Sequence, residues 1–333
     1  MILVIGGTTE GRMAAQTLDA AGTLFHYSTK GNMQDVELCN GVRICGGMDS
    51  ATMGEFCRMN GISLIVDAAH PFAQGVHATV DAVSGELSLP VIRYEREFPL
   101  RDKRIIWCSS YDDAVGKLNN GKITSLLALT GVNTIPKLRG YWSRKGNLCH
   151  FRVLDRDESR ELAAKAGFPG NRLLYLKDEA ITLEGEKEFI AKISPEAVIT
   201  KESGESGFFK EKVEAAFACG AKVFAVQRPA LPESFVPVYG PVGLRMEVER
   251  LVPGFFPLRI GLTTGSTATA AVRGALRRLL HGEECRSVFV VLPQGERVRM
   301  PLKGSGTTDD GAWGCATKYG GEDPDATNGY DII

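Results

Sequence analysis

Five short stretches of the 333-residue chain hold residue types that can do chemistry. In Gly6-Gly7-Thr8-Thr9-Glu10-Gly11 the glycines allow positive φ and close backbone approach, and a threonine hydroxyl can cap the helix that follows. Free N–H groups at such a helix start suit a phosphate. The glycines stand at 6, 7 and 11, which is not the G-x-G-x-x-G fingerprint, so a plain strand-to-helix turn is the competing reading. Asp67-Ala68-Ala69-His70-Pro71 sets a histidine among small residues, suited to proton transfer or to a satisfied turn. Thr200-Lys201-Glu202-Ser203-Gly204-Glu205-Ser206-Gly207 gathers hydroxyls, glycines and one ammonium, as an anion-binding turn or a ligand-free loop would. Gln227-Arg228-Pro229 favours the binding reading. The basic run Arg93, Arg96, Arg101, Lys103 and Arg104 matches carboxylates bidentately, or is a solvated loop. His26, His77, His150 and His281 lack comparable neighbours and receive no role.

These stretches need elements to hold them. Ile2-Leu3-Val4-Ile5 reads as a strand buried on both faces of a parallel sheet. Further strands are expected at 23–29, 41–45, 62–66 and 90–96, with helices near 51–60 and 74–84. The exits Ser28-Thr29-Lys30, Gly46 and Asp67-Ala68 belong beside the glycine turn if the sheet is doubly wound, because ligands bind beyond strand C-termini. A second α/β unit opens at 122–130, with strands at 147–154, 172–176, 197–200 and 221–226. Pro253-Gly254-Phe255-Phe256-Pro257 reads as a linker to a helix over 268–281 and a hairpin turning at Pro293-Gln294-Gly295-Glu296. The expected domains are 1–121, 122–252 and 253–333.

A net charge of −1 argues against a bulk basic surface for nucleic acid. No apolar run approaches the roughly 18 residues that span a bilayer, and the chain begins in a strand without a signal-peptide layout, so a cytoplasmic protein is expected. Eight cysteines without a C-x-x-C pair read as reduced thiols, with no metal site.

Taken in order, the 6–12, 67–73, 200–204 and 227–229 stretches resemble the precorrin-6A reductases of cobalamin biosynthesis, over about residues 1–250. The resemblance implies an α/β fold of two Rossmann-like parallel-sheet domains with a cleft between them, plus a small C-terminal α+β fragment. It implies NADPH or NADH on the first domain, held by Gly6, Gly7, Thr8, Thr9, Glu10, Gly11, Ser28, Thr29, Lys30, Gly46, Asp67 and Ala68. The lysine and hydroxyls after the second strand lean toward NADPH. It further implies a polycarboxylate tetrapyrrole held by Arg93, Arg152, Thr200, Lys201, Ser203, Gly204, Gly207 and Arg228. The reaction implied is hydride transfer to one carbon of a macrocyclic double bond and protonation of its neighbour, with His70 or solvent as the proton source. Two departures stand out: alanine replaces the usual threonine in 67–70, and Lys177-Asp178-Glu179 stands where a Gly-Pro-Phe-like turn is expected.

The run Arg259-Ile260-Gly261-Leu262-Thr263-Thr264-Gly265-Ser266, with 321–329, resembles the start of the cobalt-precorrin-5B C1-methyltransferases, over about residues 256–333. A whole enzyme of that family is several times longer, so S-adenosylmethionine is expected only with a complete site. The pairing favours a cobalt-precorrin-6A substrate and hand-over to neighbouring pathway enzymes. The alternatives are a non-catalytic tetrapyrrole-binding or channelling module, and a chain whose main role is C1-methylation.

Overall fold

The computed structural model describes residues 1–31, 36–98, 100–176, 181–204 and 207–333. They form two compact units, Met1–Arg96 with Ala230–Ile333, and Glu97–Pro229. The first unit opens with β1 (Ile2–Ile5), α1 (Thr9–Asp19), β2 (Phe25–Thr29) and β3 (Gly41–Cys45). It continues with α2 (Ser50–Met59), β4 (Leu64–Asp67), α3 (Gln74–Leu87) and β5 (Val91–Tyr94). The second unit begins with β6 (Ile106–Cys108), α4 (Tyr111–Asn120), β7 (Ser125–Ala128), α5 (Arg139–Trp142) and β8 (Leu148–Leu154). Then come α6 (Asp157–Lys165), β9 (Leu173–Leu176), α7 (Leu183–Ile193), β10 (Ala197–Lys201), α8 (Phe209–Ala218) and β11 (Lys222–Val226). Back in the first unit lie β12 (Phe235–Val238), α9 (Gly240–Leu251), α10 (Thr264–His281), β13 (Ser287–Val291) and β14 (Arg297–Pro301). The last strands are β15 (Gly304–Thr308), β16 (Gly311–Thr317) and β17 (Asp331–Ile332).

Among the described residues the first sheet has the order β12-β5-β4-β1-β2-β3 and is parallel throughout. The second, β6-β11-β10-β7-β8-β9, is also parallel throughout. In each sheet one edge strand lies out of sequence order: β12 joins β5 only after the chain has traversed the second unit, and β6 precedes β7 yet pairs with β11.

This moves the expected borders. The first lies at 96/97 rather than 121/122, because 106–108 belongs to the second sheet. The compact units do not divide at 252/253: β12, α9 and the residues after them lie together in the first unit. The expected linker is part of that unit's core, with Phe255 and Phe256 buried and the Phe255 carbonyl accepting from Thr23 Oγ1 at 2.7 Å. The 177–179 departure lies outside the described residues.

Alternation along β1 explains why both faces of the first sheet are covered. Ile2 and Val4 pack with Ala14, Leu18, Leu244 and Val248, while Leu3 and Ile5 pack with Met53, Cys57, Val80 and Val83. Full burial of each such aliphatic side chain is worth about 1.5–3 kcal/mol. The C-terminal stretch contains the expected hairpin, with Val291 opposite Arg297. Its Glu296 carboxylate accepts from Val242 N at 2.9 Å in the first turn of α9, and Arg297 lies over the Tyr239 and Phe289 rings.

The glycine turn has a steric origin. A Cβ on Gly6 would stand 2.2 Å from the Tyr27 ring, and one on Gly11 would stand 2.7 Å from Gly6 Cα. Tyr27 is fully buried, so neither neighbour can yield cheaply. Two of the three glycines thus let α1 and the Tyr27 ring close on the end of β1. Gly6→Ala is expected to cost about 1–3 kcal/mol of stability through overpacking, read from denaturant unfolding. A change within about 0.5 kcal/mol, the range of ordinary surface substitutions, would contradict this packing.

Candidate functional site

In the first unit the strand exits are stitched together by hydrogen bonds. Gly6 N donates to Ser28 O at 2.8 Å, Gly46 N to Thr29 O at 3.0 Å, and Ala68 N to Ile5 O at 2.9 Å. Thr8 caps α1 by accepting from Gly11 N at 2.9 Å, and its hydroxyl donates to Ala68 O at 2.7 Å. The expected grouping of 6–11, 28–30, 46 and 67–68 is therefore present as one cluster. It stands where the strand order reverses, between β1 and β4, the position at which open α/β sheets bind ligands. Gly7 has φ +94°, a left-handed conformation that favours glycine, with nothing within 4 Å of where a side chain would stand. Thr9 and Lys30 are exposed beside it. Tyr27 lies beneath; burial raises its phenol pKa, and the Arg43 and Arg12 charges act in the opposite direction.

Several site residues have structural partners instead of an open face. Asp67 is wholly buried: Oδ1 meets Arg93 Nη1 at 3.2 Å and accepts from Ala69 N at 3.0 Å, while Oδ2 lies 2.6 Å from His77 Nδ1. Arg93 is likewise buried, donates to Asp67 O at 3.2 Å and lies 3.5 Å from Glu95. It is not placed to clamp a ligand carboxylate, because its strand position turns it into the protein. Glu10, at the start of α1, is buried against Arg96 at 2.8 Å. His70 Nδ1 accepts from Phe72 N at 3.1 Å, which leaves the proton of the neutral ring on Nε2. The His70 carbonyl accepts from His77 Nε2 at 3.1 Å.

The second unit presents a basic group at the exit of β10. Thr200 and Ser203 are buried, and Lys201 is partly exposed. Glu202 holds the group together, bound bidentately by Arg101 at 3.1 and 3.0 Å and accepting from Arg228 N at 3.0 Å. Arg228 lies 3.6 Å from the Phe98 ring centroid, and its Nη1 is buried without a partner among the described residues. Gly204 has φ +72°, and its carbonyl accepts from Gly207 N and Phe209 N. Arg152 departs from expectation: it is buried, paired with Glu186 at 2.5 Å and stacked over Phe189, so it is not placed as a substrate clamp.

Four residues without an expected role enter the account. His77 braces the 67–70 turn from α3, and Glu202 orders the basic group. Arg43, opposite Tyr27 in the β2–β3 register, has its Nε and Nη2 buried without an acceptor among the described residues. Lys212 donates to Gly207 O at 2.7 Å. Burial first, and then the Arg152 charge, push its pKa down to about 8. Only Glu202 was visible in a singled-out stretch; the others depend on register and packing. Among the described residues there is no cluster suited to a metal and no helix long and apolar enough to cross a membrane. The eight cysteines are free thiols.

A family model described as Precorrin-6x reductase CbiJ/CobK matches residues 1–242, and one described as CbiD matches residues 254–333. The chain is 28% identical over 235 residues to a cobalt-precorrin-6A reductase of Methanocaldococcus jannaschii, covering 69% of this chain and 91% of that protein. It is 26% identical over 238 residues to the one from Priestia megaterium, with the same coverage. The last stretch is 51% identical over 77 residues to a cobalt-precorrin-5B C(1)-methyltransferase of Burkholderia cenocepacia, covering 23% of this chain and 21% of that protein. A solved structure titled CobK precorrin-6A reductase shares the fold, with TM-score 0.62 and 22% identity, covering 77% of this chain and 98% of that one.

Lys212 gives the second group a pH signature. An unfolded lysine titrates near 10.4, so between about pH 8 and 10.4 the unfolded chain holds the extra proton. This contribution is present above that window and is lost as pH falls through about 8. The melting temperature of the wild type relative to Lys212→Met is expected to rise across the window. A difference independent of pH would contradict the burial of this ammonium.

Proposed function

Because the chain belongs to the precorrin-6x reductase CbiJ/CobK family, we propose that it reduces cobalt-precorrin-6A to cobalt-precorrin-6B in cobalamin biosynthesis, in the cytoplasm, with a nicotinamide nucleotide as reductant. Both parallel sheets are read as Rossmann-like. The observation that carries the reading is Gly7, which combines positive φ with open space at the point where the strand order reverses. That opening fits a phosphate: the backbone of 6–9 can approach it, and the first turn of α1 directs N–H groups outward.

A nicotinamide held there would supply the hydride for one carbon of the macrocyclic double bond, with a proton going to the neighbouring carbon. The chain's own residues position and bind. Thr8 ties the glycine turn to Ala68, so the nucleotide seat and the turn bearing His70 are held as one piece. His70 Nε2–H is the proton-bearing atom offered at that turn. In the second unit Lys201 and Arg228 are the cations proposed to hold acetate or propionate groups, each through charge-assisted hydrogen bonds roughly twice as strong as neutral ones. Thr200, Ser203, Gly204 and Gly207 shape that turn. Arg93, Arg152 and the Asp67 carboxylate support the fold in this reading.

NADPH is the proposed nucleotide. β2 ends at Thr29, and Ser28, Thr29 and Lys30 include no carboxylate to take a ribose 2′-OH, while Arg43, whose Nε and Nη2 have no acceptor among the described residues, suits a 2′-phosphate. Methylation is not assigned to this chain, since the C-terminal stretch covers about a fifth of the methyltransferase it resembles.

The test is anaerobic turnover of cobalt-precorrin-6A with NADPH, followed by the loss of nicotinamide absorbance. Lys201→Ala is expected to raise the KM for the tetrapyrrole about tenfold or more, as loss of a charged hydrogen bond implies, and to leave that for NADPH unchanged. No oxidation, or an effect confined to the nucleotide KM, would overturn the assignment.

A further inference from the structure

α9 begins without a cap of its own. The run Tyr239-Gly240-Pro241-Val242 contains no Ser, Thr, Asp or Asn, and Tyr239 makes no side-chain capping bond. The acid that serves this helix comes from far along the chain. Glu296, at the turn of the β13–β14 hairpin, is half-buried and accepts from Val242 N at 2.9 Å, a charge of the sign that a helix start favours. Gly240 makes room for that carboxylate: its φ is +67°, and a Cβ there would stand 2.8 Å from Glu296 Oε2. Gly240 and Glu296 lie in the two different family matches, 1–242 and 254–333.

α9 carries this contact to the first sheet. Val242 and Met246 pack on the C-terminal core. Leu244 and Val248, about 200° further round the helix, pack with Ala14 and Leu18 of α1. Glu296 also bears on the exit of β5. There Val238 pairs with Tyr94 in register, and the Val238 carbonyl accepts from Glu95 N at 2.9 Å. The Tyr94 hydroxyl is buried without a partner among the described residues. Burial first, and then the Glu296 and Glu10 charges, hold its phenol above the ordinary value. Glu10 stands in the first turn of α1 and is paired with Arg96, two residues beyond Tyr94. One carboxylate of the hairpin thus meets both supports of α1: the helix packed along it and the strand exit paired with its first turn.

We propose that Glu296 is a positioning residue for the reductase reaction, fixing the start of α9 and the exit of β5 and, through them, the first turn of α1 that seats the nucleotide. The inference rests on the reading of the glycine turn as that seat. It makes the C-terminal stretch a working part of the reductase.

The test compares the full chain with Glu296→Ala and Glu296→Gln, the second of which keeps an oxygen to accept from Val242 N. In Glu296→Ala the KM for NADPH is expected to rise about fivefold, the lower end of coupling between sites, with the KM for the tetrapyrrole unchanged. Glu296→Gln is expected to restore most of the loss. In the labelled, nucleotide-free chain the amide resonances of Gly11 and Arg96 are expected to move in Glu296→Ala. An unchanged KM for NADPH would overturn the proposal, and so would an equal rise in both KM values, which marks a general loss of structure. Failure of the wild type to bind NADPH would instead remove the seat itself. The resonances report separately on Glu296: stillness at Gly11 and Arg96 would show that it does not fix the start of α1.

Discussion

Asp67 is the constraint around which the first unit is arranged. A carboxylate with no exposure costs several kcal/mol to desolvate, and it persists only because Arg93, His77 and Ala69 N converge on it. Replacing such a group by apolar residues is often neutral, whereas removing one partner strands a charge. The arrangement therefore fixes a conformation more than it adds stability. It holds the turn after β4 from three directions: its own strand, β5 and α3. The backbone of that turn in turn anchors Thr8, the cap of α1. Glu95, Arg96 and Glu10 extend the pairing to β5 and to the start of α1. The glycine turn and the histidine turn thus have one support.

The second unit reaches a similar layout by different means. Its sheet repeats the strand pattern, but the exit of β10 is organised by Glu202, which gathers Arg101 and the backbone of Arg228. Among the described residues Glu202 is the acid that draws Arg101 and Arg228 together, and nearby burial, followed by the Arg152 charge, lowers the pKa of Lys212. This is how a chain of net charge −1 presents a basic site: charge is placed locally.

Much of this was legible in the sequence. The β1 strand, the glycine turn, the cap at Thr8, the strand exits and the C-terminal hairpin follow from short-range signals: apolar runs, glycine position and capping chemistry. What escaped was decided at long range. The three-residue β6 is too short to stand out, and Pro237 in β12 argues against a strand unless it lies at an edge, where it does lie. The run at 253–257 has a linker's composition, yet its two phenylalanines fill the core. The family resemblance offers Arg93 and Arg152 as ligand clamps, and nothing in the neighbouring sequence argues against it. Their partners, Asp67 and Glu186, come from other elements, and burial cannot be read from the chain. His77 is ten residues from Asp67 and became meaningful only when α3 folded back onto β4.

The central claim is that the joined exits of β1 and β4 form the nucleotide seat. The most direct measurement is a titration of the isotopically labelled chain with NADPH, followed through its backbone amide resonances. The account predicts saturable shifts at Gly7, Thr9, Gly46 and Ala68. Saturable shifts confined to residues 200–204 and 228, with the glycine turn unmoved, would contradict it.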